Sequence, residues 1–274
     1  MLPIIRRPTA EVRLMTVVKK VKDLLAHPLA RGVDIDDPAL TLVRRRIIRE
    51  KPFLQEIYAE WYRWIAASLP AIGGPVLELG PGPGFLAEQI PGLVTSDVFA
   101  CEGVQRVIDA RRIPYGDAEL RAIVMTDVLH YIPDAAAFFR EGQRCLRPEG
   151  AVLMVEPWNT PLARLVWTRL HHEPFEPEAA AWEFPASGPL SAANTALPWI
   201  VFSRDRERFA REFPMLSIES VEPCMPLRYV VSGGISMRSL MPGWATGSWR
   251  GIEAALEPLR DRLGMFAKIT VRRL

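Results

Sequence analysis

Between residues 76 and 156, short apolar runs alternate with polar stretches punctuated by glycine and proline. The runs are Val76-Leu77-Glu78-Leu79, Leu93 to Asp97, Val104 to Asp109, Ala122 to Thr126 and Ala151 to Glu156. Each has strand length, and the five are read as strands one to five. Between the fourth and fifth runs, Asp134 stands where a helix cap belongs. A helix is expected from there to about Leu146, before Pro148-Glu149-Gly150. Strands alternating with helices in this way predict a parallel sheet.

Upstream, Asp36 or Asp37 followed by Pro38 is a helix-start signal. Residues 39–69 are helical in composition, with a break expected before Pro52. The Gly73-Gly74-Pro75 run then forms a hinge. Downstream, residues 157–200 carry many prolines and aromatics without a regular period, as an insertion with its own small core does. A helix over 204–213, a strand over 216–224, a second insertion through Trp249, a helix to about Leu263 and a last strand over 265–272 complete the reading. Gly264 turns the chain into that last strand. The division expected is a helical extension or lid over 1–70, and a core over 71–274 interrupted by insertions at about 157–200 and 225–250.

Composition adds little and excludes more. An apolar fraction of 49% in 274 residues fills a sizeable core, and a net charge of +2 gives no reason to expect nucleic acid. No apolar run reaches spanning length and the first residues lack a signal-peptide core, which together predict a cytoplasmic protein. Cys101, Cys145 and Cys224 lie far apart, so reduced structural thiols are expected and no metal site. The charge is uneven, however. Residues 1–51 hold twelve Lys and Arg against six Asp and Glu, and Leu14 to Leu25 has apolar residues near helical spacing. Packing of that segment on the core is expected ahead of contact with a membrane surface.

The chemistry lies in the turn after the first strand, Glu78-Leu79-Gly80-Pro81-Gly82-Pro83-Gly84-Phe85, with Leu86-Ala87-Glu88-Gln89 expected to begin a helix that Pro91 closes. Glycine lets bare backbone approach a ligand. A dinucleotide fingerprint needs glycine where Phe85 stands, and Pro81 and Pro83 remove N–H donors that a pyrophosphate would use. The loop suits a nucleoside without phosphates. Glu78 to Gly84 resembles the E/D-x-G-x-G-x-G motif of class I S-adenosylmethionine-dependent methyltransferases, small-molecule branch, and three later segments extend the likeness. Asp97-Val98 ends the second strand, Asp109-Ala110 precedes Ile113-Pro114-Tyr115, and Thr126 to Asp134 with Leu146-Arg147-Pro148-Glu149-Gly150 match the family's fourth-strand and following turns.

The resemblance implies an α/β, doubly wound, Rossmann-like seven-stranded sheet closed by an antiparallel pair, with S-adenosyl-L-methionine as cofactor. It implies donor contacts from Glu78, Gly80, Pro81, Gly82, Gly84, Asp97, Val98, Asp109, Ala110 and Thr126. Asp97 would serve the ribose hydroxyls and Asp109 the adenine amino group. Only Val98 to Gly103 separates the second and third strands, so the crossover helix must be short or absent. The adenine side is then either open or covered by the N-terminal helices.

Methyl transfer from a sulfonium needs alignment and desolvation, and needs a base only where the acceptor loses a proton. The acceptor is expected to be a small molecule, lipid-like compounds included, held among the insertions. Candidate side chains there are Trp158, His171, His172, Glu173, Arg228, Tyr229, Ser236, Arg238 and Trp244. His171 is the first candidate base and His130, nearer the donor, the second. Another S-adenosyl transfer on the same core, or a donor-binding module without catalysis, remains an open alternative.

Overall fold

The computed structural model describes residues 27–28, 39–82, 84–171, 173–185, 188, 192–225 and 227–274. Pro83, His172 and the basic segment Leu14 to Leu25 lie outside the described residues. The elements are α1 (Ala39–Glu50), α2 (Pro52–Ala67), β1 (Val76–Leu79), β2 (Val94–Asp97), β3 (Arg106–Val107), β4 (Leu120–Thr126), α3 (Ala135–Cys145), β5 (Leu146–Pro157), α4 (Pro161–Arg169), α5 (Arg206–Glu212), β6 (Leu216–Cys224), α6 (Arg228–Ser232), α7 (Thr246–Ala255) and β7 (Phe266–Arg273). Single helical turns connect several of them. The strands form one seven-stranded sheet in the order β3-β2-β1-β4-β5-β7-β6. β1 to β5 pair in parallel, and β7 runs antiparallel to both β5 and β6. The doubly wound sheet and its closing antiparallel pair are as expected.

Central strands are mostly apolar because both faces are covered. On one face, Leu77, Leu79, Ile123, Met125, Val152 and Met154 meet Phe138 and Phe139 of α3 and Phe209 of α5. On the other, Val76, Ala122, Val124, Ala151, Leu153 and Val155 meet Ile57, Trp61 and Tyr62 of α2. The two sets alternate by single residues, as strand geometry requires. Capping fixes the helix starts: Asp134 accepts from the Ala137 N–H at 2.8 Å, and Thr160 from the Ala163 N–H at 3.1 Å.

Two expected elements are shorter than the pattern suggested. After the glycine turn the chain makes only one 3₁₀ turn, Leu86–Glu88, because Pro91 halts it almost at once. Phe85 packs instead on Tyr62 of α2, with ring centroids 4.6 Å apart. β3 has two residues, and no helix lies between β2 and β3. α1 covers that gap: the Arg45 guanidinium donates to the Glu102 carbonyl at 3.1 Å.

Buried ion pairs hold the second insertion against α2. Arg228 donates to Glu60 through both terminal nitrogens at 2.6 Å and through Nε to Glu253, which also accepts from the backbone N–H groups of Leu227 and Arg228. The Lys51 ammonium, which burial pulls down to about 8, donates to the Met237 carbonyl at 2.8 Å and to that of Gly234. Removing the cation from such a buried cluster leaves carboxylates uncompensated. Arg228→Ala is therefore expected to destabilise the protein by about 3–5 kcal/mol in denaturant unfolding; a loss under ~1 kcal/mol would show the cluster to be energetically neutral.

Candidate functional site

The strand order reverses between β1 and β4, and a crevice opens beyond the strand ends at such a point. A cleft occupies it, with about 1200 Å³ of empty space including its open mouth. Gly80 and Gly82 follow β1 into its wall; Asp97, Val98 and Phe99 follow β2; Ile108, Asp109 and Ala110 follow β3; Thr126, Asp127 and Val128 follow β4. Thr41, Arg44 and Tyr58 close one side, while Tyr131, His171, Glu173, Tyr229, Ile235 and Ser236 close another.

Gly82 has φ +47°, and a β-carbon there would meet nothing nearer than the Gly80 carbonyl at 3.9 Å. Gly82 borders the cleft. Gly84 plays a different part: a β-carbon at its φ of +75° would lie 2.5 Å from Arg45, so this glycine makes room for α1. Gly84 and Pro81 are not among the residues that border the cleft, and their expected donor contact is a proposal. Glu78 is also off the wall. It is 2% exposed, Oε2 has no partner, and burial raises its carboxyl to about 8, which favours the neutral form.

The Asp97 carboxylate accepts from the Val98 N–H at 2.7 Å, and burial lifts it to about 6 against that hydrogen bond. Asp109 is held by Arg111, 2.6 Å between Nη2 and Oδ2, which keeps its carboxyl below the ordinary range. It can meet a ligand only while sharing that guanidinium. Thr126 Oγ1 is buried without a hydrogen-bond partner. An orphaned buried hydroxyl costs about 1–3 kcal/mol, which a polar ligand group in the cleft would recover.

A chain of buried charges runs beneath and beside this wall. His130, the second candidate base, is 1% exposed and is not among the residues that border the cleft. Its Nδ1 lies 3.0 Å from Glu156 Oε2, while Nε2 is 3.6 Å from Glu173 and 3.8 Å from Asp127. Burial alone would lower this imidazole, but Glu156, Glu173 and Asp127 outweigh it and push it up to about 10. Glu156 also accepts from the N–H groups of Val128 and Leu129, both at 2.8 Å. Glu173 pairs with His171 Nε2 at 3.0 Å and accepts from the Tyr131 hydroxyl. Against the rise that burial brings, His130 and His171 hold the Glu173 carboxyl well below the usual carboxylate range. Asp127, at φ +63°, is lifted to about 6 by burial, with His130 opposing and Glu156 and Glu173 adding to the rise.

Sequence reasoning missed Asp127, Tyr131 and Glu156 as members of the site, although Asp127 and Tyr131 stood inside the fourth-strand motif and Glu156 closed a predicted strand. Arg44 and Tyr58 carried no sequence signal, since only tertiary packing brings α1 and α2 to the cleft. Of the acceptor candidates, His171, Glu173, Tyr229 and Ser236 line it. Arg228 is committed to its ion pairs, Trp158 is 6% exposed in the core, Arg238 is exposed off the wall, and Trp244 is 86% exposed outside the cleft.

Residues 77–154 match the family model of the methyltransferase domain. That match and the order of the sheet make this part of the chain similar to a class I methyltransferase domain. Among solved structures, the chain is similar to a geranyl diphosphate methyltransferase in complex with the methyl donor, at 17% identity and a TM-score of 0.49, covering 91% of this chain and 96% of that one. It is similar to the geranyl diphosphate C-methyltransferase of Streptomyces coelicolor A3(2), at 14% identity and a TM-score of 0.47, covering 95% and 98%. It is also similar to a methyltransferase complexed with the Haloferax volcanii Trm112 activator, at 12% identity and a TM-score of 0.49, covering 88% and 99%. No curated protein matches the sequence significantly.

The charge chain makes a direct prediction. His130 holds in the folded state a proton that the unfolded chain loses above its ordinary value of 6.5. Its contribution to stability is complete below about pH 6.5 and is lost as pH rises through about 10. Imidazole carbon shifts are expected to show His130 still protonated near pH 8; titration of that ring near 6.5 would contradict the arrangement.

Proposed function

We propose that the chain binds S-adenosylmethionine in this cleft and transfers its methyl group to a small-molecule or lipid-like acceptor. The observation that carries the reading is the cleft at Gly82, flanked by the Asp97 carboxylate and the unpartnered Thr126 hydroxyl at the carboxyl ends of three adjacent strands. Gly80 and Gly82 would hold the methionine part by close backbone approach. Asp97 would accept from both ribose hydroxyls, Val98, Asp109 and Ala110 would border the adenine, and Thr126 would gain its missing partner. When bound, the donor supplies a methyl group on a positively charged sulfur that is already a good leaving group.

The chain's own residues supply alignment and dryness. Tyr58, Tyr131, Tyr229 and Ile235 give the acceptor side an apolar lining that excludes water. His171 is placed to take a proton from a hydroxyl or carboxyl acceptor, and Glu173 orients the ring and stabilises the imidazolium as it forms. The lid over this side would be formed by the insertion 157–200, the 225–250 segment and, of the N-terminal extension, α1 and α2, which bring Thr41, Arg44 and Tyr58 to the cleft.

Calorimetric titration with S-adenosylhomocysteine and with NAD tests the donor assignment. Binding of the first and not of the second is expected; the reverse would overturn the reading. Asp97→Ala is expected to weaken S-adenosylhomocysteine binding by about 1–3 kcal/mol, and Gly82→Val to abolish it. The Asp97 carboxyl takes up a proton near pH 6 and must lose it to accept two hydroxyl hydrogen bonds. Affinity should therefore fall as pH drops below about 6, by up to about tenfold per unit, and Asp97→Asn should flatten that dependence. An affinity that Asp97→Asn leaves equally pH-dependent would place the ribose elsewhere.

A further inference from the structure

Three consecutive arginines lie on α1, and two of them are engaged. Arg45 donates to the Glu102 carbonyl and Arg46 pairs with Glu50. Arg44, half-buried at the border of the cleft, makes neither a hydrogen bond nor an ion pair among the described residues. Two hydroxyls accompany it. Thr41, 5% exposed, stands three residues earlier on the same helix face, and Tyr58 of α2 is 2% exposed. Both border the cleft, and neither hydroxyl has a hydrogen-bond partner among the described residues. A guanidinium and two hydroxyls without partners, brought together by two helices, are donors awaiting an acceptor group.

Their position points to the acceptor side. The Arg44 charge is felt by Tyr58, Tyr131 and Tyr229, which line that side, and by Asp97. Asp127 acts on the same three rings from the end of β4, so a cation and a carboxylate bound this space from different elements. His171 is the other group of the wall that can carry positive charge, and Glu173 holds it. Among the described residues of the wall, Arg44 is therefore the cation left to meet an anion.

We propose that Arg44, with the hydroxyls of Thr41 and Tyr58, holds a carboxylate of the methyl acceptor. This rests on the donor reading above and narrows the acceptor to an apolar small molecule that carries one carboxylate. A guanidinium donates two parallel N–H bonds to the two oxygens of a carboxylate, and hydroxyls can donate to the remaining lone pairs. One guanidinium in a wall that also holds Asp97 and Asp127 offers too little positive charge for a diphosphate, whereas a single carboxylate matches it. Tyr131, Tyr229 and Ile235 receive the apolar remainder. The reach of Arg44 to the acceptor-side rings favours this occupant over the donor's own carboxylate, which the donor reading puts beside Gly80 and Gly82.

Calorimetric titration at about pH 8, where the Asp97 carboxyl is ionised, tests the proposal in two steps. S-adenosylhomocysteine is first titrated into the parent, Arg44→Gln and Tyr58→Phe. Affinities within about threefold of one another are expected. Octanoate and benzoate, with octanamide and benzamide as uncharged controls, are then titrated into the proteins saturated with S-adenosylhomocysteine. At least one carboxylate should bind the parent, its amide should bind about tenfold less tightly, and Arg44→Gln should lose about tenfold or more of the carboxylate affinity. Tyr58→Phe should lose roughly three- to tenfold. The thermal melt of Arg44→Gln should match the parent's, since the guanidinium has no partner to lose. If neither carboxylate binds the loaded parent, or Arg44→Gln binds it equally well, the proposal is overturned while the donor assignment stands. Loss of S-adenosylhomocysteine affinity in Arg44→Gln, with binding of 5′-methylthioadenosine unchanged, would assign Arg44 to the donor's carboxylate and overturn the proposal as well. A parent that binds no S-adenosylhomocysteine would remove the donor reading itself.

Discussion

The site depends on one fully buried carboxylate. Glu156, 0% exposed near the end of β5, accepts from two successive backbone N–H groups after β4 and pairs with the ring of His130. Those contacts tie the end of β5 to the turn after β4, and that turn carries Thr126, Asp127 and Val128 on the cleft wall. The tie is tight enough to keep Asp127 at positive φ, a conformation that costs a non-glycine residue about 1–3 kcal/mol. Val128 in turn fills the space beside Gly80, where a β-carbon would lie 2.7 Å from its methyl group. The glycine turn and the β4 turn are thus fitted to each other, and the gap they leave at Gly82 is a consequence.

The second constraint is coverage of a sheet whose usual helices are curtailed. The segment after β1 forms one turn only, and β2 joins β3 without a helix. An apolar sheet face without helices would be exposed to water, so α2 supplies Trp61 and Tyr62 to that face while α1 places Arg45 over the short crossover. The N-terminal helices therefore do two jobs: they complete the core and they bring Thr41, Arg44 and Tyr58 to the cleft. The Arg228 and Lys51 clusters fix the second insertion to the same helices, so acceptor side and core share one support.

Much of the fold was legible because its signals are local. Continuous apolar runs specified β1, β2, β4 and β5, Asp134 specified the start of α3, and Pro52 the break between α1 and α2. The glycine turn and Asp97 were legible for the same reason, since a bare backbone and a strand-end carboxylate are short-range features. What stayed hidden depends on distance. The packing of Arg45 of α1 against Gly84 and the pairing of His130 with Glu156 are long-range contacts that the local motif does not encode. Glu173, from an insertion without periodic pattern, meets His130 and Tyr131 across more than forty residues, a pairing that spacing in the chain cannot reveal.

Donor and support converge on the cleft beyond β1, β2 and β4, and the most direct measurement is a crystal structure grown with S-adenosylhomocysteine. The account predicts the nucleoside in that cleft, its ribose hydroxyls on Asp97, its amino-acid part beside Gly80 and Gly82, and a polar atom within hydrogen-bond distance of Thr126 Oγ1. A ligand lodged elsewhere, with Gly82 and Asp97 untouched, would contradict it.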